Sequence, residues 1–457
     1  MKHRSDASRS VGGGRSAALS VLCAFDAGKG ALEQAFEAAA ANLDSRDRRF
    51  ARQLVNGVVK WRARLDWTAN QFARKPVEEL PRDVRNLLRL GLFQLLWLDR
   101  VPARAAVHTA VALARSRGRG KLAGLVNAVL RRASTEAASL PLPDRGSDPV
   151  GHLALAYSHP RWLVERWLQR WGESETEALL EANNRTPTLF ARIDGGRADD
   201  LAAQLPEGVF QPGPVPGFEG CYMVREAEGL FDSPAFRGGL FWIQDANAGI
   251  AASLLDPQPG ERVLDACSAP GGKSVQIALA MRRRGLLVAA DWAPSRLKLV
   301  EESCRRMGLE SVAIVAQDAA NPATLPGAAG TGGFDRVLLD VPCSGTGVLA
   351  RLPEARWRRR PGDLGGYAAR QLDILVSGYE VLKPGGVLVY STCSLESEEN
   401  EDLVAAFLER TPTAALEPAE RFFRAPWAAA CVQTVPGREI GDGAFAARIR
   451  KKPVPAG

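Results

Sequence analysis

The chain has 457 residues, 46% of them hydrophobic, with 59 Lys and Arg against 52 Asp and Glu and a formal charge of +7. That length predicts about two or three domains with substantial cores, and the arginine-rich surplus fits a polyanionic partner. No apolar run approaches a membrane span, and seven cysteines without a Cys-x-x-Cys pair indicate neither a disulfide framework nor a zinc or iron–sulfur site, so a reducing cytoplasm is expected.

Residues 1–14 are polar and basic without a signal-peptide core and read as a disordered leader. Residues 15–138 read as an all-α bundle. Phe50, Leu54, Val58, Trp61 and Leu65 fall on one helix face, and Val84, Leu87, Leu88, Leu92, Leu95 and Leu96 on another. The run 98–102 breaks the pattern, Pro102 can open a helix reaching about residue 117, and a further helix covers 122–132. Arg46, Arg48, Arg49, Arg52, Arg62 and Arg64 crowd one segment; Arg115, Arg117, Arg119, Lys121, Arg131 and Arg132 form a second basic set. Each arginine alone reads equally well as a solvated face, and together they make a phosphate-binding surface.

Residues 139–151, rich in Pro, Gly and Asp, read as a linker, and 152–240 as a small α+β region. A helix is expected after His159-Pro160, with Trp162, Trp167 and Trp171 as core residues rather than base-stacking platforms. The run 189–193 reads as a strand.

Residues 241–452 read as an α/β Rossmann-like domain centred on 263–274. There an apolar run turns through Pro270-Gly271-Gly272 into residues with helical spacing, so that backbone N–H groups face a ligand. A phosphate-binding P-loop would need glycine where Cys267 stands, and G-x-G-x-x-G is absent. Three further apolar runs, 285–291, 311–318 and 334–340, end in Asp291, Asp318 and Asp340. Any one such acid could be a turn or cap residue; the set points to an adenosine ligand without phosphates, S-adenosylmethionine.

Two cysteines have an address at that site. Asp340-Val341-Pro342-Cys343-Ser344 follows the run 334–340, and Ser391-Thr392-Cys393-Ser394 ends the later run 387–394. Cys267 belongs to the glycine-rich turn, whereas Cys23, Cys221, Cys304 and Cys431 read as small buried hydrophobes. No histidine follows His159, which excludes a Cys-His pair within this domain, and no His/Cys cluster offers metal ligands. Cysteine suits methylation of carbon 5 of a pyrimidine. A thiolate adding to C6 makes C5 nucleophilic and then leaves as readily as it attacked. A carboxylic acid near N3, such as Asp340, would balance charge during addition.

The segments 47–58, 88–96 and 123–132 resemble the NusB-type RNA-binding helical domain. Tyr157-Ser158-His159-Pro160-Arg161-Trp162, the Pro-Cys and Thr-Cys pair and the final run 441–449 resemble the RsmB/NOP (Sun, Fmu) family of RNA cytosine-5 methyltransferases over roughly residues 155–452. With the helical domain in front, the resemblance is to members acting on 16S rRNA. It implies Cys393 as nucleophile, Cys343 in product release, and a S-adenosylmethionine site formed by Cys267, Ser268, Ala269, Pro270, Gly271, Gly272, Lys273, Asp291, Asp318 and Asp340. DNA cytosine-5 methyltransferases use the Pro-Cys thiol instead, which keeps Cys343 open as nucleophile. Departures from the family pattern are Gln317 before Asp318, Trp292 after Asp291, and Ala444 in the last strand. The expected partner is 16S rRNA or a small ribosomal subunit precursor, bound by a monomer without metal or membrane. The arginines 351, 356, 358, 359 and 360 are expected on the RNA backbone, and the target base must be unpaired or flipped. Transfer RNA methylation, or an RNA-binding assembly protein with an inactive methyltransferase domain, are the alternatives.

Overall fold

The computed structural model describes residues 13–453, apart from 207, 212, 216 and 322–332. Its contacts divide the chain between Asn184 and Arg185.

The first unit is helical, as its 3.6-residue apolar spacing dictates. Helix Arg82–Trp97 is its centre, packed by Gly13–Asp26, Ser45–Lys60, Arg62–Phe72, Ala103–Ser116 and Ala123–Glu136. Such a helix is buried on several faces, so it carries an arginine only with full pairing. Arg89 is 3% exposed, forms two 2.7 Å bonds to Asp66 and donates at 2.8 Å to Asp26. Gly57 admits the Phe93 ring, since a Cβ there would lie 1.9 Å from it. Pro102 flanks the start of Ala103–Ser116, and the helix expected over 122–132 spans Ala123–Glu136.

Helices Pro149–Ala156 and Arg161–Asn184 pack with this unit, whereas the sequence segmentation assigns 152–184 to the α+β region. The physical reason is local: buried Ser158 accepts from the N–H groups of Ala63 (3.0 Å) and Arg64 (3.4 Å), closing the start of helix Arg62–Phe72. Trp167 is buried, with the His159 ring edge-on to it, in line with a core role, while Trp162 and Trp171 are half-buried. Gly172, at φ 76°, kinks the long helix.

The second unit opens with an antiparallel sheet of β1 (Phe190–Ile193), β2 (Cys221–Met223) and β3 (Phe241–Ile243), in the order β2-β1-β3. Its main sheet contains β4 (Arg262–Asp265), β5 (Leu286–Asp291), β6 (Ala313–Ala316), β7 (Phe334–Asp340), β8 (Leu382–Thr392), β9 (Ala414–Glu417), β10 (Val432–Thr434) and β11 (Ala444–Lys451). The order is β10-β11-β8-β7-β4-β5-β6, with β9 on β11. Strands β4 to β8 run parallel, and β11 joins β8 antiparallel. Apolar cores lie on both faces, which is why the central strands read as continuous hydrophobic runs. The Rossmann-like expectation holds. Strand β6 stops at Ala316, short of Asp318, and β8 begins at Leu382 and so takes in Lys383, Pro384, Gly385 and Gly386 ahead of the apolar run expected as a strand.

Candidate active site

Parallel strands bring their carboxyl ends to one edge of the sheet. There Asp340 of β7 stands opposite Ser391 of β8, so Cys343 and Cys393 emerge side by side just beyond the two strands. The sulfurs are 3.2 Å apart as free thiols. Hydrogen bonding to Cys393, then burial, push the Cys343 thiol well above its ordinary range, with the charge of Glu399 adding to the effect. Cys343 therefore favours its protonated form, and either sulfur can donate across the contact.

Behind the thiols, Lys273 donates to Asp340 at 2.7 Å. Burial works against the ammonium, but Asp340 outweighs it and holds Lys273 above its usual value. Lys273 opens helix Gly272–Ala280, preceded by Gly271 at φ 107°, where a Cβ would lie 3.0 Å from the Val300 Cα. The turn is fastened to β5: the Ser268 N–H donates to Ala290 O (2.8 Å) and the Ala269 N–H to Asp291 Oδ2 (3.2 Å). Arg296 donates to Ala269 O at 2.8 Å and lies 3.6 Å from Asp291. Asp318 accepts from Arg370 at 2.6 Å, which holds its carboxyl below the usual range. Burial pushes the Cys267 thiol far up, so it sits at the turn as a neutral group.

A cavity of about 230 Å³ is lined by Cys267, Ala269, Asp291, Asp318, Asp340, Cys343 and Cys393 together. Ser268, Pro270, Gly272 and Lys273 line a neighbouring cavity of about 440 Å³ that shares Cys267, Ala269 and Asp340 with it; Gly271 lines neither. The residues fit a nucleoside-bearing cofactor. Acids stand at or just beyond three strand ends, and the buried Gln317 Nε2 and Ser268 Oγ have no hydrogen-bond partner among the described residues. Among the described residues no cluster could hold a metal ion.

Sequence reading missed three participants. Asp265, at the end of β4, takes a 2.7 Å bond from Ser274 and is pushed up to about 7 by burial. It carries the same strand-end signal as the other acids and could have been found by it. Gln317 and Glu399 carry no such signal. The arginine expectation needs correction. Arg351 is paired with Asp245 and Asp442, Arg356 is fully buried, and Arg359 donates to Ser344 O, whereas Arg358 and Arg360 are exposed. In the helical unit Arg48 and Arg52 pair with Glu37 and Glu33, and Arg62 lies 3.4 Å from Asp26. Arg46, Arg115, Lys121 and Arg131 are exposed.

Residues 252–450 match the family described as 16S rRNA methyltransferase RsmB/F, residues 14–135 the NusB family, and 159–215 the ferredoxin-like domain of RsmF/B-like methyltransferases. The chain is 36% identical over 419 residues to a probable ribosomal RNA small subunit methyltransferase B of Synechocystis, covering 89% of this chain and 91% of that protein. It is 35% identical over 416 residues to ribosomal RNA small subunit methyltransferase B of Salmonella typhi, with the same coverage. The crystal structure titled PH0851 is similar with a TM-score of 0.78 and 25% identity, covering 95% of this chain and 99% of that one. Thiol pair, strand-end acids and these likenesses agree: the chain belongs to the RsmB/F family of 16S rRNA methyltransferases and is a S-adenosylmethionine-dependent enzyme.

Proposed function

We propose that this enzyme methylates carbon 5 of a cytosine in 16S rRNA, with Cys393 as the nucleophile. The observation that carries the reading is the contact between two thiols beside the Lys273–Asp340 pair at the ends of parallel strands. The Cys393 thiolate adds to C6 of an unstacked cytosine, and electrons move into the ring toward C5. Bound S-adenosylmethionine supplies the methyl group from its sulfonium. Asp340, beside Lys273, would pass a proton to N3 as the thiolate adds, so that no net negative charge builds on the ring. Loss of the C5 proton restores the ring double bond and expels Cys393, a release that the adjacent Cys343 assists.

Residues 15–138 serve RNA binding in this reading, with Arg46, Arg115, Lys121 and Arg131 as exposed phosphate contacts. The enzyme acts as a cytoplasmic monomer on the small-subunit precursor. The test is transfer of labelled methyl to free 16S rRNA, small-subunit precursor and tRNA, followed by nucleoside digestion. 5-Methylcytidine in the rRNA samples supports the reading. Label confined to tRNA, or carried on another nucleoside, contradicts it.

A further inference from the structure

The strands fix the backbone only as far as Asp340 and Thr392; the sulfurs lie on the loops beyond. Those loops meet over one carboxylate, that of Glu399, which is fully buried in a short turn, Ser397–Glu399. Glu399 Oε2 accepts from the Ser344 N–H at 2.9 Å and from Gln371 Nε2 at 2.8 Å, and Oε1 accepts from the Ser394 hydroxyl at 2.6 Å. Ser344 and Ser394 are the residues immediately after Cys343 and Cys393, and their hydroxyls are 3.0 Å apart. Gln371 also donates to Pro342 O at 2.9 Å, and the Tyr390 hydroxyl donates to the Glu399 carbonyl at 2.7 Å. The turn is thus anchored from both β8 and helix Asp363–Glu380.

Oε2 faces two N–H donors and needs an acceptor there, while Oε1 fixes the proton of the Ser394 hydroxyl. An amide would either set its N–H₂ against the N–H donors or turn it to Ser394 Oγ and drive that proton toward Ser344 Oγ, and in both cases the negative charge between the loops is lost. We propose that Glu399 is a positioning residue of the reaction: it clamps the Pro-Cys and Thr-Cys loops so that Cys343 and Cys393 stay in contact through addition and release. The Cys343 thiol is raised first by its hydrogen bond to Cys393 and by burial, and the Glu399 charge acts in the same direction as a smaller contribution. The inference rests on the cysteine reading above.

The test compares wild type with Glu399→Gln, Glu399→Asp and Ser394→Ala, following turnover, KM for both substrates, thermal melting, and trapping on RNA containing 5-fluorocytidine, which holds the covalent adduct. Glu399→Gln is expected to lose on the order of 100-fold in kcat, the size of effect that misplacing reacting groups by about 1 Å produces. KM for S-adenosylmethionine stays within about twofold, and adduct formation slows in parallel with kcat. Glu399→Asp, which keeps the charge, recovers part of the loss. A folded Glu399→Gln enzyme with wild-type kcat overturns the proposal, as does a lowered melting temperature with unchanged kcat. If Glu399→Gln does not fold, Ser394→Ala decides: a kcat loss at native melting temperature supports the clamp, and full activity removes it. Absence of any adduct in the wild type would instead sink the cysteine reading on which the clamp depends.

Discussion

Asp340 and Asp265 share one sheet edge but are held differently. Asp340 is matched by Lys273 at 2.7 Å, whereas Asp265 is enclosed and, among the described residues, takes the Ser274 hydroxyl as its side-chain partner. Asp340→Asn keeps the shape and removes the group that passes a proton to N3 during addition. Single-turnover kinetics should show a loss on the order of 100-fold. Asp265 has a consequence for stability. Its folded pKa, about 7, lies above the 3.8 of a free aspartate, so between those values the folded chain binds more protons than the unfolded one. Stability from this group therefore falls as pH rises from about 4 to about 7 and levels off above. Melting curves of Asp265→Asn should vary less with pH across that window than those of wild type; an unchanged pH dependence would contradict the assignment. Glu399 shows why part of the site was illegible. Its partners are Ser344, Gln371 and Ser394, up to 55 positions away, and no periodicity marks such a residue.

The strands and the glycine-rich turn were legible because a parallel sheet covered on both faces needs unbroken apolar runs, and a turn of this kind needs Pro and Gly. Their limits were less so. The last rung of the β5–β6 ladder is the Gln317 N–H bond to Asp291 O at 2.9 Å, so the pairing ends before Asp318, and β8 passes through Gly385 at φ 80°. The segment around Ser158 resembles the approach to the catalytic domain, in keeping with the family match over 159–215, and Ser158 itself caps helix Arg62–Phe72. Ser158→Ala should lower stability by about 1 kcal/mol, read by thermal or denaturant unfolding, with methyl transfer at permissive temperature unchanged.

The charge of +7 is spread unevenly in use. Arg48, Arg52, Arg62, Arg89 and Arg351 are tied to acids within the fold, so net charge alone overstates the surface offered to RNA. Alanine at Arg46, Arg115, Lys121 and Arg131 together should weaken rRNA binding, and should shallow the slope of log K against log salt by about 3 if all four contact phosphates. Turnover at saturating RNA should be unchanged. Denaturing gels of Cys343→Ala and Cys393→Ala with rRNA separate the roles of the two sulfurs. A slowly migrating covalent RNA adduct is expected with Cys343→Ala and none with Cys393→Ala, which should also lack turnover. An adduct that survives in Cys393→Ala, or wild-type methylation by that variant, would contradict these roles and pass the nucleophile's role to Cys343.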